Sequence, residues 1–353
     1  MRSFFIPIFI LSFFPLIGQM ETSSGLYEGQ QLDEFESLSS IAFGSCNNQR
    51  KVEEQGIWAD VMRNRPDLWL WTGDIIYGDT EDMELMRGYY LQQKNQPYYK
   101  ALRELIPVIG IWDDHDFGVN DGDKTYPRKG ASKQLLFDFL DIDPDHEARR
   151  RPGAYHSWTF GVGDSSVKVI LLDCRTFRDT LAECPDNLAR YRPNFSGDVL
   201  GEFQWEWLEK ELSESKATVN LIVSGIQFIP EEQKFEKWAN FPAARARFFD
   251  LLARTHPKNP ILISGDRHIA EISAIPVAGY DEMIFEVTSS GMTHTWSDPG
   301  KEEPNRYRIG PLVISRNFGV IRWDWSREPF QAIVEIRGPG NELLYQFGID
   351  LQD

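Results

Sequence analysis

Residue types that can hold a metal ion stand at the ends of four oily segments. "FGSC" ends at Cys46, "TGDIIY" carries Asp74 and Tyr77, "DDHD" carries Asp114 and His115, and "SGDRH" carries Asp266 and His268. Thiolate, carboxylate, phenolate and imidazole, delivered repeatedly at strand ends, are the donor mixture that a two-cation centre requires. The run Asp113–Asp116 makes the case most directly, because like charges crowded around one histidine are costly unless something positive sits among them. Each station taken alone has a plainer reading. A Gly-Asp after a strand is usually a turn, Cys46 alone is a small buried hydrophobe, and Asp113–Asp116 alone is a solvated acidic corner. His268 alone is a hydrogen-bonded core histidine. Their recurrence argues for chemistry. Gly44, Gly73 and Gly265 beside these stations let the backbone turn sharply and approach closely.

The elements that must position these residues alternate. "SIAFGSC", "DLWLWTGD", "LIPVIGIW", "VKVILLD", "TVNLIVSG" and "PILISGD" read as buried strands. Between them, "GIWADVMRN", "DMELMRGYYLQQK", "SKQLLFDFLD", "GEFQWEWLEKEL" and "PAARARFFDLLART" have helical spacing, with Ser132 a candidate N-cap and Pro242 suited to a first turn. The tail, "NFGVIRWDW" and "QAIVEIRGPGNELLYQFGIDL", reads as strands with a hairpin turn at Gly338–Asn341. Alternating strands and helices give an α/β protein with antiparallel additions toward the end. In open α/β sheets, ligands gather outside the carboxyl ends of the strands, which is where the four stations fall.

The chain has 353 residues, 41% hydrophobic and 26% charged, with a formal net charge of -17. Such a charge argues against nucleic acid held by electrostatics, which needs clustered Lys and Arg; no sequence-specific nucleic-acid partner is expected. It is compatible with a phosphate substrate, because bound multivalent cations reverse the local field. Arg2 followed by an apolar stretch from Phe4 to Gly18, interrupted by Pro7 and Pro15, reads as a secretory signal peptide over residues 1–19. Residues 20–38 form a polar leader, and residues 39–353 one catalytic domain whose C-terminal strands close a sheet. A secreted or periplasmic protein without a membrane-spanning segment in its mature chain is the expectation. Export permits disulfides: Cys174 and Cys184 are near enough in sequence to pair, which leaves Cys46 as the odd thiol. Oligomeric state is not legible.

"TGDIIY", "DDHD" and "SGDRH" resemble degenerate forms of the calcineurin-like metallophosphoesterase signature. With "FGSC" in the first segment, and "IWDDHDFGVND" and "LISGDRH" later, the variant resembles the alkaline phosphatase D (PhoD-like) family from about Ala42 to Trp296. The resemblance implies a sandwich of two mixed β-sheets flanked by helices and a binuclear or multinuclear metal centre. It implies Cys46, Asp74, Tyr77, Asp114, Asp266 and His268 as metal ligands, with Asp74 bridging. Tyr77 stands where purple acid phosphatases bind ferric iron. Family members use iron with calcium, and these ligands are compatible with that pair; Mn or Mg would also suit the oxygen-rich site. Asp replaces the family's usual Asn at 114 and His at 266, and Gln227 falls where a ligating histidine is usual.

The expected reaction is hydrolysis of phosphodiesters, phosphomonoesters or both by a metal-activated hydroxide attacking phosphorus in line. His115 either protonates the leaving oxygen or holds a phosphoryl oxygen, the alternative being a brace to Asp114 or Asp74. Substrate contacts are expected from Asn120 in the loop after the histidine, from Arg175 past a strand end, from Gln227, and from His294 in "TSSGMTHTW". Arg178 is either a phosphate contact or a salt bridge to Asp173 or Asp179. The substrate is a small molecule or an envelope phosphoester. The contrasting expectation is a non-catalytic exported binding protein with a structural metal site.

Overall fold

The computed structural model describes residues 30, 32–34, 36–184, 190–280, 282–296, 303–326 and 330–352. The expected signal peptide and the first part of the leader lie outside the described residues. In chain order the strands are β1 (Ser40–Gly44), β2 (Leu68–Thr72), β3 (Val108–Ile111), β4 (His156–Phe160), β5 (Val167–Leu171), β6 (Ala182–Glu183), β7 (Tyr191–Arg192), β8 (Val219–Ser224), β9 (Pro260–Ser264), β10 (Ala270–Pro276), β11 (Met283–Ser289), β12 (Arg308–Val313), β13 (Phe318–Trp323), β14 (Gln331–Arg337) and β15 (Leu343–Asp350). The helices are α1 (Ile57–Arg63), α2 (Met83–Lys94), α3 (Pro97–Leu105), α4 (Asp114–Phe117), α5 (Lys129–Phe139), α6 (Gly201–Glu214) and α7 (Pro242–Thr255).

Two large mixed sheets result. One has six strands in the order β15-β14-β13-β1-β2-β3, the other seven in the order β12-β10-β11-β9-β8-β5-β4. β1, β2 and β3 are parallel, as are β5, β8, β9 and β11, so their carboxyl ends point one way within each sheet. β13, β14 and β15 extend the first sheet antiparallel to β1.

The period-two alternation of strands assigns their side chains. Val167, Val169, Leu171, Val219, Leu221, Val223, Ile261 and Ile263 join the core that also holds the first sheet. Their neighbours Ile170, Leu172, Ile222 and Leu262 face away, into a second core with Leu208 of α6 and Phe248 and Leu252 of α7. On β2, Trp69 and Trp71 meet Trp58 of α1 edge-on at 4.8 and 5.1 Å between ring centroids, and Tyr99 of α3 closes the cluster. Each of these rings is fully buried, and together they fix the position of β2, whose next residues are Gly73 and Asp74.

Helix α5 starts at Lys129 with Arg128 at its N-cap. Ser132 is therefore not the cap. It lies inside the helix, with Oγ toward the Met83 sulfur at 3.9 Å. Cys174 and Cys184 do not form the expected pair: Cys174 is buried with its thiol 3.2 Å from Ser224 Oγ, and no disulfide is formed among the described residues.

Candidate metal centre

Loops leaving β1, β2, β3 and β9 converge because two glycines let them. At Gly73, φ is +99° and a Cβ would fall 2.4 Å from Asp113 Cβ; at Gly265 a Cβ would fall 2.4 Å from Thr72 O and 2.6 Å from Ser45 Oγ. The side chains they bring together sit on unusual backbone. Cys46, Asp74, Asp266 and His268 all adopt left-handed φ, between 49° and 65°, a conformation rare outside glycine that concentrates at functional sites.

Four groups of donor atoms, each with all members within 4.8 Å of one another, mark the centre: Cys46, Asp74 and His268; Asp74, Asp114 and His115; Asp113, Asp114 and Asp266; Asp114, Asp121 and Glu236. Asp74 belongs to the first two and Asp114 to the last three. The Cys46 thiol lies 3.4 Å from Asp74 Oδ2. Tyr77 Oη lies 3.0 Å from Nε2 of both His268 and His294, and its ring stacks on His115 at 4.0 Å. Asp114 Oδ2 accepts the backbone N–H of Asp121 at 2.6 Å.

Charge here is uncompensated. Burial pushes the Cys46 thiol and the Tyr77 phenol well above their ordinary values, helped at Cys46 by Asp74 and Asp266 and at Tyr77 by Cys46 and Asp74. Burial likewise pushes Asp74 up, against the His115 charge, and Asp266 up, against Arg267. Asp113 Oδ2, Asp114 Oδ1 and Asp266 Oδ2 are buried with no hydrogen-bond partner. Buried carboxylate oxygens without partners are expensive, and a cation among them removes that cost. The donor set thus fits metal ions on the evidence of its own orphaned atoms. His115 is the positive group on hand. Burial opposes its protonation, but the charges of Asp114 and Asp74 and the bond from Asp79 raise it to about 11. Its Nδ1 meets both Asp79 carboxylate oxygens at 2.8 Å.

Of the expected substrate residues, Asn120 is exposed on the loop after α4, with Nδ2 donating to Asp121 Oδ2 at 2.8 Å. That loop borders a cavity of about 500 Å³ lined also by Asp79, Glu81 and Tyr126. His294 reaches the centre through Tyr77. Arg175 and Gln227 lie in the interior. Arg175 is 0% exposed: its guanidinium donates to Asp113 Oδ1 and, at 2.6 Å, to Glu236 Oε2, so no face is left for a ligand arriving from solvent. Gln227 is also fully buried, donating to Glu271 at 2.7 Å and Thr288 at 3.0 Å. Arg178 pairs with neither Asp173 nor Asp179 carboxylate but with Glu236 at 3.0 Å.

Sequence reasoning passed over Asp113, Asp79, Asp121 and Glu236. Asp113 was in view within the acidic run. Asp79 directly follows "TGDIIYG", so its signal was proximity alone. Glu236 lies in "EEQKFEK", which reads as solvated surface.

The profile of the PhoD-like phosphatases matches residues 41–308. The chain belongs to the PhoD-like phosphatase family. Alkaline phosphatase D of Bacillus subtilis (strain 168) is 24% identical over 298 residues, 71% of this chain and 48% of that protein. The chain therefore spans about half the length of this curated relative. A solved structure of PhoD superposes with a TM-score of 0.66 at 18% identity, over 90% of this chain and 69% of that one. A dimetal phosphatase from Danio rerio superposes with a TM-score of 0.55 at 12% identity, over 90% of this chain and 100% of that one. These likenesses bear on the fold: the PhoD-like chain has the two-sheet architecture that the resemblance implied. Among the described residues no helix is long and apolar enough to cross a membrane.

Proposed function

We propose that the chain is an exported, metal-dependent phosphoesterase that hydrolyses phosphodiesters, phosphomonoesters or both. The observation that carries this reading is the set of buried carboxylate oxygens of Asp113, Asp114 and Asp266 left without partners beside Cys46, Tyr77 and His268. Family membership supports it. Cys46, Asp74, Tyr77 and His268 would hold one ion, and Asp74, Asp114 and Asp266, with Asp113 added, a second; iron with calcium suits the two donor sets. Asp74 would serve both ions, because it is shared by two of the donor groups. Such ions, when bound, lower the pKa of a water toward ~7 and stabilise the entering and leaving oxygens.

The remaining work belongs to side chains. Asp79 holds Nδ1 of His115 with both carboxylate oxygens at 2.8 Å and so orients the ring. The other ring nitrogen, Nε2, then gives its proton to the departing alcohol oxygen. Asn120 at the cavity edge positions a phosphoryl oxygen. Tyr77 Oη anchors His294, whose Nε2 lies 3.0 Å from it.

The test is hydrolysis of an aryl phosphodiester and an aryl phosphomonoester by the purified metal-loaded protein, beside Asp74→Asn. Turnover lost in the variant supports the phosphoesterase. Tight metal binding with no turnover of either ester sinks it in favour of a binding protein with a structural metal. Export is tested separately, by sequencing the N-terminus of protein recovered outside the cytoplasm for cleavage near residue 19.

A further inference from the structure

A phosphoester reaching a centre walled by carboxylates needs a cationic donor to hold its non-bridging oxygens. Arg175 and Arg178, which follow a strand end as such donors often do, are both fully buried. They are committed to Asp113, Glu236 and the carbonyl oxygens of Asp121 and Gly122. Freeing either would strip a buried carboxylate of its partner.

Arg190 is placed differently. It immediately precedes β7, which pairs with β6, and its carbonyl oxygen accepts from the Cys184 N–H at 3.1 Å. Its side chain is 47% exposed, and its Nη2 lies 2.6 Å from Asp121 Oδ2. The same oxygen accepts from Tyr191 Oη and from Asn120 Nδ2. Three donors from two separate loops thus converge on one carboxylate oxygen, at the edge of the cavity that Asn120 and Asp121 line. The backbone N–H of Asp121 is bonded to the candidate ligand Asp114, so this convergence lies next to the metal centre. Arg190 also feels the charge of Asp266. A guanidinium offers five donors in a rigid fork, and a carboxylate oxygen offers two lone pairs. The contact with Asp121 uses Nη2 alone of a fork with five N–H donors, which leaves capacity for a second anion.

We propose that Arg190, with Tyr191 and Asn120 beside it, grips the non-bridging phosphoryl oxygens of the substrate. Asp121 holds these donors together when no substrate is present. The proposal rests on the phosphoesterase reading and supplies that reading with the arginine that Arg175 was expected to be. Lys51 is the rival cation, close enough to His294 to disfavour its protonation.

The experiment uses the metal-loaded protein with inorganic phosphate as probe, titrated by calorimetry, and both aryl esters as substrates. The variants are Arg190→Gln, Arg190→Lys and Lys51→Gln, each checked for an unchanged thermal midpoint. Charge-assisted contacts of this kind are worth roughly ten- to hundredfold in affinity. Arg190→Gln is expected to weaken phosphate binding by that factor and to raise KM more than it lowers kcat, with partial recovery in Arg190→Lys. A KM effect confined to one ester identifies which phosphate the fork holds. Phosphate affinity and KM within twofold of wild type in Arg190→Gln overturn the proposal, as does a loss that appears in Lys51→Gln instead. Phosphate bound through Arg190 without turnover of either ester retains the grip and discards the phosphoesterase reading.

Discussion

Two clusters of buried charge lie back to back in this molecule, and they are built on opposite terms. Behind the centre, Arg175 and Arg178 meet Asp113 and Glu236, two positive groups against two negative, in ion pairs of 2.6 to 3.0 Å. In front, Asp74, Asp114 and Asp266 face one another with His115 as the main positive group and with oxygens that no protein donor reaches. The rear cluster carries its own positive charge as folded. The front one is complete only when something positive is added. Asp113 joins the two: Oδ1 holds Arg175 while Oδ2 is unpartnered beside Asp114 and Asp266. Buried charge therefore does not by itself mark a ligand site in this fold; the balance of charge within the cluster does.

This contrast makes opposite demands on mutation. Asp74→Asn is expected to lower hydrolysis on the order of 10³-fold, about 4 kcal/mol in the barrier. In chelator the same variant should melt no lower than wild type, because it removes a desolvated like charge from the front cluster. A variant that keeps activity within tenfold, or that melts well below the chelated wild type, breaks the distinction between the clusters. Arg175→Met should do the reverse. It strands Asp113 and Glu236 in the interior and should cost about 3–4 kcal/mol of stability by denaturant unfolding; a loss below 1 kcal/mol would show that the rear cluster is not held by its ion pairs.

A smaller effect comes from a buried histidine far from both clusters. His156 is almost fully buried, with Nδ1 against Ala154 O at 2.8 Å and Nε2 unpartnered. Burial lowers it from 6.5 to about 4. Because the folded value lies below the unfolded one, its contribution is fully present above pH 6.5 and is lost as pH falls toward 4, by at most about 3 kcal/mol. His156→Phe should flatten that part of the stability-pH profile; an unchanged slope between pH 7 and 4.5 assigns acid sensitivity to the front carboxylates instead. The baseline for an ordinary polar contact is Asp82, which caps α2 by accepting from the Glu84 and Leu85 backbone N–H groups at 3.0 and 3.1 Å. Asp82→Ala should cost about 1 kcal/mol with no change in turnover, read from urea unfolding and the ester assay.

The strand ends at Cys46, Asp74, Asp114 and Asp266 were legible because each follows a run of apolar residues too regular to be a loop, and because ligands gather at such ends. Tyr77 and His268 were legible by their spacing from those ends. The start of α5 was not. Lys129 and Gly130 carry no apolar signal, while Ser132 offers a plausible cap, so the helix was read as shorter than it is. The arginines show the deeper limit. "LLDCRTFRD" gives Arg175 and Arg178 the position of a phosphate donor, and nothing near them in sequence shows Glu236, 61 residues from Arg175 along the chain, closing over them.

The sequence by itself determined the alternation of strands and helices, the residue types of the centre and the side of the sheets on which they emerge. Those follow from local hydrophobic period and from glycines placed where backbones must meet. Only the tertiary structure decided which charges are neutralised from within and which are left open. Neutralisation depends on contacts between residues tens to hundreds of positions apart, and a pattern read along one chain does not contain them.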